Sequence, residues 1–184
     1  SMLTGMLRSL DPRLFRELGV DSTKLEAYTY KDQQAGWGYD HIDNRYYKGY
    51  KVHMIYNTEH DVPLGYVVIS AKVHDNKEFK PLVKKPGPGI LETIAVYGDS
   101  AYDSAGNVED LARIRTTMIN RRNKRNSKKE YPKYRIQYYC KVHGNRLNHL
   151  YKKRNECEVT NGLLLEFASA KKERLRLERT RTKG

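Results

Sequence analysis

The apolar run Ile94-Ala95-Val96-Tyr97 ends abruptly in Gly98, Asp99 and Ser100, and a second Asp-Ser pair, Asp103-Ser104, follows within the stretch VYGDSAYDS. A short apolar run closed by turn residues reads as a buried strand. An acid at the mouth of such a strand has two readings. It is half of a metal site, or it is a turn residue whose neighbour Ser104 starts a helix. On this stretch alone both stand.

The other elements follow from period and punctuation. Leu18 to Leu25 reads as a strand interrupted by Asp21. Tyr46 to Tyr56 (YYKGYKVHMIY) is rich in β-branched and aromatic residues, and the polar turn NTEHDVP leads from it to Leu64–Ala71 (LGYVVISA), so the two runs should form a hairpin. Asn76 to Lys84 can form a short helix, and KKPGPG reads as a loop because its prolines and glycines cannot sustain regular pairing. Ser104 can cap a helix through Arg113 with Val108, Leu111 and Ala112 on one face, and Thr116 to Asn120 is a fifth strand. A long helix is expected from Asn145 to about Lys172, with Leu150, Cys157 and Leu164 on one stripe. Three strands followed by alternating helices and strands imply an α/β fold, a mixed sheet with helices on its faces.

Charge divides the chain. Residues 1–110 hold 13 Lys and Arg against 16 Asp and Glu, and residues 111–184 hold 22 against 6, so the halves carry −3 and +16 of a total of +13. The basic connection 121–140 has Tyr131, Tyr134, Tyr138 and Tyr139 among its cations. That composition suits a polyanion such as nucleic acid, because each phosphate contact releases condensed counterions. No apolar run approaches the ~20 residues of a membrane span. Two cysteines, Cys140 and Cys157, are too few for a disulfide framework, so a reducing, cytoplasmic setting is expected. Ser1-Met2 reads as a cloning scar, residues 1–16 as an N-terminal segment, and 17–184 as one domain.

Metal-dependent phosphodiester chemistry needs hard oxygen ligands converging from separate elements on one or two Mg²⁺ or Mn²⁺ ions. Asp21 lies in one apolar strand and Asp99 closes another. In the long helix, LYKKRNECEVTNGLLLEF, Tyr151, Arg154 and Glu158 fall at i, i+3 and i+7, beside the apolar stripe that should meet the sheet. Glu156 points nearly the opposite way, which leaves Glu158 as the third candidate acid.

The pattern Y-x-x-R-x-x-x-E at Tyr151, Arg154 and Glu158, with VDSTKLEA, GYKVH, AKVHD and YGDSAYDS in this order, resembles the DDE-type transposases of bacterial and archaeal insertion sequences. The resemblance runs from about Val20 to Arg179-Thr180-Arg181. It implies an RNase H-like, mixed five-stranded sheet flanked by helices, in which the first and fourth of the strands read above lie side by side and make Asp21 and Asp99 neighbours. It further implies that Asp21, Asp99 and Glu158 are catalytic and hold two divalent ions, Mg²⁺ or Mn²⁺. One ion would activate water to cut a strand at a transposon end, and the freed 3′-hydroxyl would then attack target DNA. Tyr151 and Arg154 would contact double-stranded DNA near the scissile phosphate. Arg121, Arg122, Lys124, Arg125, Lys128 and Lys129 are the further DNA-binding candidates. A nucleoid-associated, homodimeric protein with no membrane contact fits the same picture.

Two departures are visible. Leu165 stands seven positions after Glu158, where the family commonly has a basic residue, and the 58 residues between Asp99 and Glu158 leave no room for a large β insertion. A shortened remnant that binds DNA without turnover is therefore the competing reading, and another RNase H-like nuclease is a third. Of the remaining residues, Asp75 of His74-Asp75 reads as a helix N-cap rather than a ligand, and Cys140-x-x-His143 lacks a second zinc-binding pair. Trp37 in AGWGYD is either core or a surface for stacking on DNA.

Overall fold

Alternation along the chain fixes the central strand. In the computed structural model, which describes residues 2–121 and residue 123, β1 spans Glu17–Glu26 and sends Leu18 and Val20 to one face, both 0% exposed. It is preceded by α1 (Met2–Leu10) and a 3-10 turn, Pro12–Phe15, whose N-cap Asp11 accepts from the Arg13 N–H. Helix α1 lies in the segment for which no element was expected. Its Leu7 packs on the core, and Arg8 pairs with Glu92 at 2.5 Å.

The expected hairpin is present as β3 (Arg45–Asn57) and β4 (Pro63–Ser70), antiparallel from Tyr50↔Ser70 onward. A further strand, β2 (Gly36–Asp40), pairs with the start of β3, so the sheet has six strands rather than five among the described residues. This strand carries Trp37, which is 56% exposed and stacks on Tyr30 with ring centroids 6.1 Å apart, so it is not a core residue. The region expected as one helix over Asn76–Lys84 is divided into a 3-10 turn, Asp75–Lys77, and α2, Phe79–Val83. The loop expected at KKPGPG is in part a 3-10 segment, Gly87–Glu92, with proline in its first turn, where a missing N–H costs nothing.

Then come β5 (Ala95–Tyr97), a 3-10 turn (Ser100–Tyr102), α3 (Ala105–Arg113) and β6 (Thr117–Ile119). The Ser104 hydroxyl accepts from the Asn107 N–H at 3.1 Å, the cap read from the sequence. The sheet runs β2-β3-β1-β5-β6, with β4 on β3. Pairing of β1 with β3 is antiparallel, whereas β1–β5 and β5–β6 are parallel. This is the RNase H-like arrangement expected, in that the strand carrying Asp21 lies beside the strand that leads to Asp99.

One face of the sheet, with Leu18, Val20, Ile55, Val96 and Met118, packs against Phe79, Leu82, Val108 and Leu111 from α2 and α3. The opposite face buries Met54 and Tyr56 in one cluster and Ala95, Tyr97 and Ile119 in another. The expected long helix and its apolar stripe, with Cys140, His143, Cys157 and Leu165, lie outside the described residues.

Candidate active site

The parallel register Leu18↔Val96, Gly19↔Tyr97 determines what meets at the carboxyl end of β5. Continued along both chains, it sets Val20 beside Gly98 and Asp21 level with Asp99. The backbone supports the continuation. Asp99 is extended (φ −77°, ψ 177°), the Gly98 N–H donates to Ile119 O at 3.1 Å, and a Cβ on Gly98 would lie 2.9 Å from Val20 Cγ2. Glycine at 98 therefore lets the chain that carries Asp99 approach β1 closely.

Asp21 is 9% exposed, and its Oδ1 accepts the Ser22 N–H at 2.9 Å. Asp99 is half-buried and caps the following turn, its Oδ1 accepting from the Ala101 N–H at 2.8 Å. The turn-residue reading of Asp99 is thus correct as local structure. Asp103, 4% exposed, accepts the Asn123 N–H at 2.9 Å, while Asn123 Nδ2 donates to Ser100 O at 3.2 Å. These two bonds fasten the start of the basic connection to the turn that Asp99 caps. Arg121 is exposed on the same segment.

Behind the two acids lies a buried polar chain. Tyr102 is 0% exposed, and its hydroxyl is 2.7 Å from His53 Nδ1. Burial raises the phenol well above its ordinary range, and the carboxylates of Asp99, Asp75 and Asp21 push it further, so it keeps its proton. A hydrogen bond from Ser22 acts in the opposite direction. His53 Nε2 stands 3.8 Å from Asp75 Oδ1. Burial lowers the His53 pKa, with Asp75 opposing and Lys51 reinforcing the shift, so the ring is neutral at neutral pH. Asp75 is not the N-cap expected: His74 occupies that position, without a side-chain cap bond, and the Asp75 carboxylate accepts from Lys51 Nζ at 2.7 Å.

Among the described residues, no three His, Cys, Asp or Glu side chains are grouped for one metal ion. Asp21 and Asp99 are hard oxygen donors of the kind Mg²⁺ and Mn²⁺ take, and as a pair they fit a site that draws a further ligand from elsewhere. Glu158, Tyr151 and Arg154, and the cations Arg122, Lys124, Arg125, Lys128 and Lys129, lie outside the described residues. Reading residues singly had missed Ser22, His53, Tyr102 and Asn123. His53 and Tyr102 sit inside the motifs GYKVH and YGDSAYDS, which was the available signal.

Residues 15–183 match the family described as Transposase DDE domain. The chain belongs to that family. Among solved structures it is similar to a piggyBac transposase, seen by cryo-EM in a synaptic complex with hairpin DNA, at 13% identity and a TM-score of 0.48. The match covers 70% of this chain and 31% of that one, so the chain spans about a third of that protein's length. Comparison with curated proteins found no match. No helix among the described residues is long and apolar enough to cross a membrane.

Proposed function

We propose that this chain is the catalytic core of a transposase that cuts and rejoins double-stranded DNA with Mg²⁺ or Mn²⁺ held by Asp21, Asp99 and Glu158. The observation that supports the reading is the parallel β1–β5 pairing from Glu17↔Ala95 to Gly19↔Tyr97, whose continuation would set Asp21 level with Asp99 near the start of the basic connection. When bound, such ions supply Lewis acidity to the attacking and leaving oxygens of a phosphodiester.

The chain's own residues supply the rest. Asp21 presents carboxylate oxygens from β1, Asp99 from the turn after the neighbouring β5, and Glu158 supplies the third carboxylate. Arg154, whose guanidinium suits a phosphate fork, and Tyr151 contact the DNA near the scissile phosphate. Arg121, Arg122, Lys124, Arg125, Lys128 and Lys129 neutralise backbone phosphates, which positions the duplex without reading its sequence. The substrates are transposon ends and target DNA, and the acting unit is a homodimer in the nucleoid.

The test is nicking of supercoiled DNA in Mn²⁺ by the wild type and by Asp99→Asn. Nicking by the wild type alone is expected. Equal nicking by both would dismiss the assignment, and DNA binding without nicking by either would favour the inactive remnant.

A further inference from the structure

The motifs GYKVH, AKVHD and YGDSAYDS contain three residues that the carboxylate site does not use: His53, Asp75 and Tyr102. They come from β3, from the turn after β4 and from the turn after β5; His53 and Tyr102 meet in the interior, with the half-buried Asp75 at its edge. We propose that Tyr102 is a positioning residue for Asp21 and Asp99, its buried hydroxyl fastening the turn capped by Asp99 to the point on β1 and β3 where Asp21 stands. The proposal rests on the reading of Asp21 and Asp99 as cation ligands.

Each link is local. Asp99 caps the 3-10 turn whose last residue is Tyr102, and the Tyr102 N–H returns to Asp99 O at 3.3 Å. From there the phenol reaches His53 on β3, whose register partner on β1 is Ser22. Ser22 is next to Asp21 in the chain, and its N–H bonds to the Asp21 carboxylate at 2.9 Å. The path Asp99–Tyr102–His53, and across the β3–β1 pairing to Ser22 and Asp21, therefore ties the two carboxylates together through the core.

The protons can be placed. A neutral imidazole has one N–H, and putting it on Nε2, which faces Asp75, leaves Nδ1 to accept from the Tyr102 hydroxyl at 2.7 Å. Asp75, held by Lys51, stands 3.8 Å from Nε2, too far for a hydrogen bond, and its charge favours the N–H on that side of the ring, the tautomer that can receive the Tyr102 proton. Phenylalanine at 102 would pack equally well against Phe79, whose ring centroid is 5.8 Å away. What the hydroxyl adds is a fixed orientation, and polar partners that orient metal-binding carboxylates act in this way.

The test is Mn²⁺ titration of the full chain without DNA, following free Mn²⁺ by electron paramagnetic resonance, alongside urea unfolding. Tyr102→Phe is expected to weaken Mn²⁺ binding about 10-fold, and Asp99→Asn to abolish it. The double variant Tyr102→Phe/His53→Leu leaves neither buried polar partner orphaned. It should recover much of the folding midpoint while its Mn²⁺ affinity stays low, and it gives the same readout should the single variant not fold. Wild-type affinity in Tyr102→Phe, with binding lost in Asp99→Asn, overturns the positioning role and leaves the carboxylate site standing. Affinity that returns with stability in the double variant overturns it too. Unchanged affinity in Asp99→Asn refutes the site itself.

Discussion

Replacing Gly98 with alanine tests the junction on which the site depends. A Cβ there would meet Val20 Cγ2 at 2.9 Å and Met118 Cε at 3.2 Å, inside the ~3.5–4.0 Å at which carbon atoms rest against each other. Val20 is 0% exposed and lies in a strand paired on both sides, so it cannot swing away. Overpacking of this kind costs about 1–3 kcal/mol, and the stiffer unfolded chain returns about 0.4–1 kcal/mol, leaving a net loss of roughly 1–2 kcal/mol. With a urea dependence of about 1–3 kcal/mol per molar, the unfolding midpoint should fall by about 0.5–1 M. Gly106→Ala is the control. It lies in α3 with nothing within 4 Å of its added Cβ, and it should gain about 0.5–1 kcal/mol. A Gly98→Ala midpoint equal to or above the wild type would refute the close approach of β5 to β1, and with it the levelling of Asp21 with Asp99.

Three further outcomes are expected. Ser104→Ala removes the cap of α3 and should cost about 1 kcal/mol in urea unfolding. Asp40 is held to a pKa of about 2, chiefly by its hydrogen bond from Lys24 and then by the Ile42 N–H. Because that value lies below the ordinary carboxylate range, its stabilisation is complete above about pH 4 and is lost as pH falls through about 2. The gap in unfolding midpoint between wild type and Asp40→Asn should therefore be wide at pH 6 and close toward pH 2. DNA affinity should fall steeply as salt is raised from 50 to 200 mM, and a salt-independent affinity would contradict phosphate-dominated binding.

The elements legible in the sequence were those specified locally. Leu18 and Val20 alternate with less apolar neighbours, NTEHDVP is a polar turn between two β-rich runs, and Ser104 precedes a helical face, so β1, the β3–β4 hairpin and α3 were readable. Strand β2 was not, because GWGYD carries two glycines, which argue for a turn. The reason they are there is long-range: a Cβ on Gly36 would lie 2.2 Å from Ser70 Oγ, and one on Gly38 would lie 2.9 Å from Ala71 Cβ. Helix α1 was passed over although Met6, Leu7 and Leu10 have helical spacing. Asp75 was misread because a polar residue before a helix looks like a cap, whereas its partner, Lys51, lies 24 positions earlier on β3. The candidate site shows the same division. Asp21 and Asp99 were visible as acids out of place in apolar runs, but which strands adjoin is a property of the whole sheet, and only the family resemblance supplied that order.

Crystals of the full chain soaked in Mn²⁺, with the anomalous signal collected at the manganese edge, examine the proposed chemistry most directly. A peak bound by carboxylate oxygens of Asp21, Asp99 and Glu158, each at about 2.1–2.2 Å, is the outcome expected. A peak elsewhere on the chain, or one that any of the three carboxylates fails to reach, would contradict the proposal.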